Sequence, residues 1–208
     1  LHCVPTAVLR DGDLLSWMED FRDEGIVRHV GASVETIEEA IIAASHPVVT
    51  SVQIIFNLFR QNAIDELFPI TAASGVGVIV RLPLASGVLS GKMTPHQRFD
   101  ASDHRNYNRD GSAFSQGETF SGLPFELAVA VAEDIKALVP EGMTMAQMAM
   151  RWILDHDAVT TVIAGASRPS QVVENAAVSD LPRLSSELHT TLGDLYRSRV
   201  EPEIVVPI

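Results

Sequence analysis

The sequence has little cysteine, little lysine and no long uninterrupted apolar run. Cys3 is the single cysteine among 208 residues, which excludes an internal disulfide framework and favours a reducing compartment. No stretch approaches the roughly 18 consecutive apolar residues of a membrane span, and no secretion signal opens the chain. These absences predict a cytoplasmic protein without membrane contact.

Positive charge is also scarce. The chain has 15 Lys and Arg residues against 27 Asp and Glu residues, a formal net charge of −12, and its lysines are Lys92 and Lys136. A protein that binds the phosphates of nucleic acid needs a basic surface, so nucleic acid is not expected as a partner. Hydrophobic residues make up 46% of the chain, which predicts a globular domain with a sizeable core.

Short apolar runs alternate along the chain with amphipathic helical patterns. Strands are predicted at 1–4, 27–33, 48–57, 76–84 and 159–166. Helices are predicted at 14–24, 35–44, 64–74, 124–138, 144–155, 170–178 and 185–199. This alternation is typical of an α/β fold with a parallel sheet, either open and doubly wound or most of an eight-stranded barrel. The glycine-rich phosphate turn of dinucleotide-binding sheets does not follow the first strand, which favours the barrel.

Candidate functional residues cluster at the predicted carboxyl ends of the strands, where barrels place their active sites. Gln53 is a polar residue inside an apolar strand and needs a partner or a ligand. Residues 165–169 lead from the last strand into a helix, so their backbone N–H groups and Arg168 could bind a phosphate. The alternative is that this segment only begins the helix.

The segment 86–122 is long for a connection within a domain. Its polar composition with interspersed aromatic residues predicts a lid or a substrate wall on the active face, and a disordered insertion is the alternative. Phe99, Tyr107 and Phe120 suggest room for an aromatic or apolar substrate.

Six stretches of the chain resemble the aldo-keto reductase family and occur in the order of that family. They are LHCVP, GIVRHVGASV, SVQIIFN, GVGVIVRLPLASGVLSGK, MAQMAMRWILDH and TVIAGASRPSQVVENAA. The resemblance implies a (β/α)8 TIM barrel, of which residues 1–208 would form the C-terminal part with about five βα units and a long active-face loop at 86–122. It also implies an NADP-dependent oxidoreductase that reduces a small aldehyde or ketone to an alcohol.

The family's catalytic set of Asp, Tyr, Lys and His carries over only in part. The histidine falls on His2, whereas the Asp, Tyr and Lys positions would precede Leu1. The two tyrosines, Tyr107 and Tyr196, do not match the family's proton donor. We therefore expect the 208-residue chain alone to be a weak or inactive catalyst.

The resemblance also implies a cofactor site. Ser33 and Gln53 would hold the nicotinamide carboxamide, with Val34 where the family has Asn, and Arg81 would stack on the ring. The pyrophosphate and adenosine contacts would fall on Leu84, Ser86, Gly87, Leu89, Lys92, Gly165, Ser167, Arg168, Gln171, Glu174 and Asn175. Arg168 favours NADP (as NADPH) over NAD, because a guanidinium suits the 2′-phosphate.

Other functions and partners are compatible with the same sequence. The chain could instead be a truncated, non-catalytic nicotinamide-nucleotide-binding or assembly module, or a different phosphate-binding barrel that prefers a sugar phosphate. Open strand edges at 1–4 and 159–166 would need cover from a homo-oligomer or a partner chain. The histidines show no metal-ligand spacing, so no metal is expected, and Cys3 is expected to be packed.

Overall fold

The structure is a computed structural model and describes residues 1–204 and 206. Its centre is a four-stranded parallel sheet whose strands lie side by side in chain order. The strands are β1 (Val30–Ser33), β2 (Val49–Ile55), β3 (Gly77–Arg81) and β4 (Val159–Val162). This arrangement confirms the predicted α/β class and is consistent with part of a TIM barrel, although every strand is shorter than predicted.

The predicted strand at 1–4 is reduced to a single parallel bridge between His2 and Ser33. Ser33 N donates to Leu1 O at 2.9 Å, and Cys3 N donates to Ser33 O at 2.8 Å. Cys3 then adopts a positive φ of 47°, which turns the chain away from the sheet. The sheet therefore continues beyond β1 for one bridge only.

Helices cover the connections between the strands. The α-helices are α1 (Thr6–Asp11), α2 (Asp13–Asp23), α3 (Ile37–Ala44), α4 (Ala63–Glu66), α5 (Phe68–Ser74), α6 (His104–Tyr107), α7 (Phe125–Lys136), α8 (Met145–Leu154), α9 (Pro169–Ala176) and α10 (Ser186–Leu195). Thr144 caps α8 as predicted, because its hydroxyl accepts from Gln147 N at 3.2 Å. Ser185 caps α10 by accepting from Leu188 N at 3.1 Å.

One helical prediction was wrong in detail, and one short helix was not predicted. The predicted helix at 64–74 is divided into α4 and α5, because Pro69 has no N–H to donate to the carbonyl of Asp65. The short helix α1 was not predicted. It follows Pro5 and ends at Gly12, which has a φ of 84°, so it has only six residues to carry a periodic signal.

The two faces of the sheet are buried to different extents. Val52, Ile54, Val78 and Val80 are at most 1% exposed, and α3, α5 and α8 pack against β2, β3 and β4. On the opposite face, Ser51, Gln53 and Ile79 are only half-buried. Because side chains alternate along a strand, this second face is where polar side chains at the strand ends gather.

Gly31 allows a close approach between β1 and β2. A Cβ atom at this position would lie 2.4 Å from Ser51 Oγ and 3.0 Å from Ser51 O. The backbone φ of Gly31 is not positive, so the requirement for glycine comes from the neighbouring strand rather than from a special conformation.

The long segment 86–122 folds across the carboxyl ends of the strands in short helical pieces. These are a 3₁₀ segment at Ala85–Ser90, α6, and two further 3₁₀ turns at Gln116–Glu118 and Phe120–Gly122. Phe120 is buried, and its ring centroid lies 4.8 Å from that of Phe125, so it belongs to the core rather than to a substrate wall. Tyr107 and Phe114 remain exposed. In the described part of the chain, none of the helices combines the length and apolar character needed to cross a bilayer.

Candidate functional site

Ser33 and Gln53, the two residues predicted to bind the carboxamide, lie side by side at the strand ends. They are register partners on β1 and β2, and Gln53 is in turn paired with Ile79 on β3. Ser33 Oγ donates to Gln53 Oε1 at 3.3 Å. This bond leaves the side-chain N–H₂ of Gln53 available to donate and the hydroxyl oxygen of Ser33 available to accept. A primary carboxamide offers the complementary groups.

Arg81 stands at the end of β3, and its guanidinium is held from two sides. Nη2 donates to Val34 O at 2.9 Å and forms an ion pair with Glu118 Oε1 at 2.9 Å. Nε and Nη1 are buried without a hydrogen-bond partner among the described residues. The residue predicted to stack on the nicotinamide ring is therefore a buried cation whose charge is balanced by the long segment.

A cavity of about 720 Å³ opens beside the segments that follow β3 and β4. Six of the predicted cofactor residues line it, namely Leu84, Ser86, Gly87, Lys92, Gly165 and Gln171. These residues come from two separate parts of the sequence, and the structure brings them to one cavity.

The charge of the cavity wall is opposite to that of the whole chain. Lys92, Arg98 and Arg105 line the cavity together with Asp100 and Asp103. Arg105 Nη2 donates to Asp103 Oδ2 at 2.6 Å, and this hydrogen bonding lowers the pKa of Asp103 to about 2. These three cations and two carboxylates carry a net charge of +1 in a chain of net charge −12, which favours an anionic ligand over a cationic one.

Two of the predicted pyrophosphate residues, Leu89 and Ser86, differ in how they meet the cavity. Leu89 has no exposed surface and packs in the core, so its side chain does not face the cavity. Ser86 lines the cavity, but its hydroxyl is already engaged. It donates to Glu118 O at 3.0 Å and accepts from Phe120 N at 3.1 Å. A ligand at Ser86 must share this hydroxyl with the long segment.

The start of α9 differs from an open anion site. Gln171 Oε1 accepts from Ser167 N at 2.8 Å and from Arg168 N at 3.1 Å. Asn175 Nδ2 donates to Gly165 O at 3.3 Å. The two predicted backbone donors are therefore capped by a side chain of the same helix. An anion would have to replace that amide oxygen or bind the guanidinium of Arg168.

Arg168 remains available on the outside of this turn. Together with Ser167 and Pro169 it lines a second, shallow hollow of about 540 Å³. Glu174 is exposed on α9. Ser167 and Arg168 thus lie at a separate, solvent-facing hollow, whereas Gly165 and Gln171 line the main cavity.

His2 is exposed at the edge of the sheet next to Ser33, to which its backbone is bridged. The prediction that Cys3 is packed was wrong, because the residue is exposed. Partial burial, followed by the negative charge of Glu35, raises the pKa of the Cys3 thiol, which opposes formation of a thiolate nucleophile.

The two tyrosines lie in different surroundings. Tyr107 is exposed on α6, whereas Tyr196 is buried in the helical turn that follows α10. Burial raises the pKa of the Tyr196 hydroxyl, which disfavours its ionised form. Among residues 1–204 and 206, no group of three or more His, Cys, Asp or Glu side chains could hold a metal ion.

Glu118 and Arg60 belong to this site but were not predicted from the sequence. Arg60 is 3% exposed, and burial lowers the pKa of its guanidinium to about 10. Gly117 lies against it, because a Cβ at 117 would be 2.5 Å from Arg60 Nη2. The available sequence signal was a lone Arg after the apolar run 54–59 and a lone Glu between Gly117 and Thr119.

Comparison with known proteins identifies relatives of the chain. The sequence profile of the Aldo/keto reductase family matches residues 1–197. The chain is similar to aldo-keto reductase YhdN of Bacillus subtilis (strain 168), with 25% identity over 198 residues, 91% of this chain and 56% of the relative. It is also similar to L-glyceraldehyde 3-phosphate reductase of Escherichia coli (strain K12), with 36% identity over 121 residues, 55% of this chain and 32% of the relative.

A solved structure shares the fold. The glycerol dehydrogenase of Gluconobacter oxydans superposes with a TM-score of 0.68 at 21% sequence identity, over 100% of this chain and 59% of that chain. The chain thus spans less than two thirds of the length of each of these three relatives. With a profile match over nearly its whole length and a parallel α/β sheet of the corresponding architecture, the chain belongs to the aldo/keto reductase family.

Proposed function

We propose that the protein containing this chain is an NADPH-dependent oxidoreductase that reduces a small aldehyde or ketone to an alcohol in the cytoplasm. The observation that carries this proposal is the cation-rich cavity of about 720 Å³ in a strongly acidic chain. A second feature is the Ser33–Gln53 pair at the carboxyl ends of β1 and β2, where Ser33 Oγ donates to Gln53 Oε1. An anionic dinucleotide with a carboxamide at one end fits both features.

Different residues would bind different parts of the cofactor. Ser33 and Gln53 would orient the carboxamide. Lys92 and the backbone around Gly87 would receive the pyrophosphate, and Arg168 would receive the 2′-phosphate. The nicotinamide supplies the hydride when the cofactor is bound.

His2 would orient the substrate carbonyl beside Ser33, at the edge where both residues meet. Proton delivery requires a donor of suitable pKa within hydrogen-bond reach of the carbonyl oxygen. Tyr107 is exposed on α6 and Tyr196 is buried, and neither matches the family's proton donor, so we expect residues 1–208 alone to bind cofactor without efficient turnover.

The same observation about the tyrosines supports a second candidate, a non-catalytic nucleotide-binding or assembly module. Such a module would bind NADPH and reduce nothing. The exposed pattern of β4, with no fully buried residue, is compatible with cover by a second copy or a partner chain.

The test uses the intact gene product from its natural source. Its mass establishes whether it is longer than 208 residues. Titration with NADPH and NADH, followed by turnover with a panel of aldehydes and ketones, should show NADPH binding and carbonyl reduction. NADPH binding without turnover would support the module instead. Binding of a sugar phosphate without NADPH binding would contradict both proposals.

A further inference from the structure

The long segment inserts one carboxylate beside two buried arginines. Glu118 pairs with Arg81, which is 8% exposed. The preceding residue, Gly117, lies directly against the guanidinium of Arg60, which is 3% exposed. The negative charges of Glu118 and Glu35 both stabilise the charged form of Arg60. Glu118 is the carboxylate in direct contact with Arg81.

The backbone on both sides of Glu118 is fixed. Ser86 Oγ donates to the carbonyl of Glu118 and accepts from Phe120 N. One residue further on, Ser121 Oγ accepts from Asn57 Nδ2 at 3.0 Å. The carboxylate is therefore held in place before any ligand arrives, so its charge acts at a constant position.

Only one nitrogen of the Arg81 guanidinium is used in these contacts. Nη2 serves both Val34 O and Glu118, while Nε and Nη1 remain buried without a hydrogen-bond partner among the described residues. A buried cation is costly without a counter-charge. The contact with Glu118 offsets that cost and reduces the positive potential at the end of β3.

This potential matters for a nicotinamide because the ring carries a positive charge when oxidised and none when reduced. A neighbouring cation therefore disfavours the oxidised form, and a neighbouring carboxylate favours it. We propose that Glu118 is a charge-compensating residue that sets the relative affinity of this site for oxidised and reduced cofactor by balancing Arg81. This inference rests on the proposed function: Arg81 Nη2 donates to Val34 O, next to Ser33, so the guanidinium lies beside the Ser33–Gln53 pair that would hold the nicotinamide carboxamide.

The experiment compares the dissociation constants of NADP⁺ and NADPH for the intact gene product. Glu118→Gln should raise the ratio of the NADP⁺ constant to the NADPH constant by about fivefold or more, since one nearby negative charge is lost in a partly buried site. Arg81→Gln should lower the same ratio. The double variant should return it toward the wild-type value. Glu133→Gln, which alters an exposed pair with Lys136, is the matched control and should leave the ratio unchanged.

The two single variants have opposite expected signs, and this separates charge compensation from simple loosening of the segment. Loosening would weaken both cofactor forms alike and leave the ratio unchanged. A ratio that stays within about twofold of wild type in both single variants overturns the inference. If Glu118→Gln does not fold, as judged by circular dichroism, the Arg81→Gln result decides. Wild-type protein that binds neither cofactor form would instead refute the proposed function.

Discussion

Asn57 and Ser121 lie 64 residues apart in the sequence and meet in a buried hydrogen bond, in which Asn57 Nδ2 donates to Ser121 Oγ at 3.0 Å. The same Nδ2 donates to Leu82 O at 2.8 Å, and Asn57 Oδ1 accepts from Phe59 N at 2.8 Å. One side chain thus joins the end of β2, the end of β3 and the far end of the long segment.

Replacing Asn57 should therefore destabilise both the fold and the segment. Asn57→Ala leaves Leu82 O and Phe59 N buried without this partner, and we expect the free energy of unfolding to fall by about 2–4 kcal/mol. Urea denaturation of the variant measures this loss. Asn62→Ala is the matched control, since Asn62 makes no capping hydrogen bond, and it should change stability little. Equal losses for the two variants would contradict the assigned role.

Asp155 lies between α8 and β4, and its buried side chain forms several polar contacts. Its carboxylate accepts from Arg151 Nε at 3.0 Å and from Leu184 N at 2.9 Å, and it lies 3.0 Å from His189 Nε2. Asp155→Ala leaves the buried Arg151 without its counter-charge, so we expect a loss of about 3–5 kcal/mol in the free energy of unfolding, measured by urea denaturation.

A neighbouring ion pair provides the control for that experiment. Asp157 pairs with Arg183 on the surface, where both side chains are mostly exposed. Asp157→Ala should leave the free energy of unfolding essentially unchanged, because solvent screens exposed pairs. A large effect at Asp157, or a small one at Asp155, would show that burial does not govern these contacts.

The buried side chain of His156 should make the folded state less stable in mild acid. Burial lowers the pKa of His156 below its ordinary value of 6.5, while Nδ1 lies 2.9 Å from Trp152 O. The unfolded chain therefore binds more protons than the folded chain once the pH falls below about 6.5. Stability should decline there by at most about 1.4 kcal/mol per pH unit, down to the pKa of the folded state.

Two variants isolate this contribution from other groups near His156, which include His189 and Asp155. His156→Asn should reduce the slope of stability against pH between 6.5 and the folded pKa. His96→Asn, at an exposed histidine, should retain it. Identical slopes in wild type and His156→Asn would rule out His156 as the source.

Arg168 should distinguish NADPH from NADH. Arg168→Ala should weaken NADPH binding by about tenfold, the effect of losing a charge-assisted contact to the 2′-phosphate. NADH, which has no such phosphate, should bind as before. Arg183→Ala removes an exposed guanidinium elsewhere and serves as the control. Equal weakening of NADPH and NADH by Arg168→Ala would argue against 2′-phosphate recognition.

Local patterns made much of the fold predictable. The β-branched runs around β2 and β3 and the cap at Thr144 depend on residues close together in sequence, and both predictions were confirmed. The juxtaposition of Ser33 and Gln53 followed from the resemblance together with the rule that parallel strand ends meet at one edge.

Contacts across long stretches of sequence were not predictable in the same way. The pairing of Arg81 with Glu118 depends on how an irregular segment folds back, and no periodicity encodes that path. Gln171 was expected to contact the adenosine, yet it caps its own helix, because a glutamine three residues into a helix can reach back to the first free N–H groups. For Leu89 the motif match does not specify which way the side chain points, and the structure places that side chain in the core.

Because Gly31 has no side chain, β1 can lie close enough to β2 for Ser33, two residues later, to contact Gln53. Any larger residue there would collide with Ser51 and wedge β1 away from β2. That displacement would also separate Ser33 from Gln53, whose side chains now lie 3.3 Å apart. The distance between Ser33 and Gln53 therefore depends on the absence of a Cβ atom at residue 31. Variation at position 31 should consequently alter ligand recognition without touching any residue that binds the ligand.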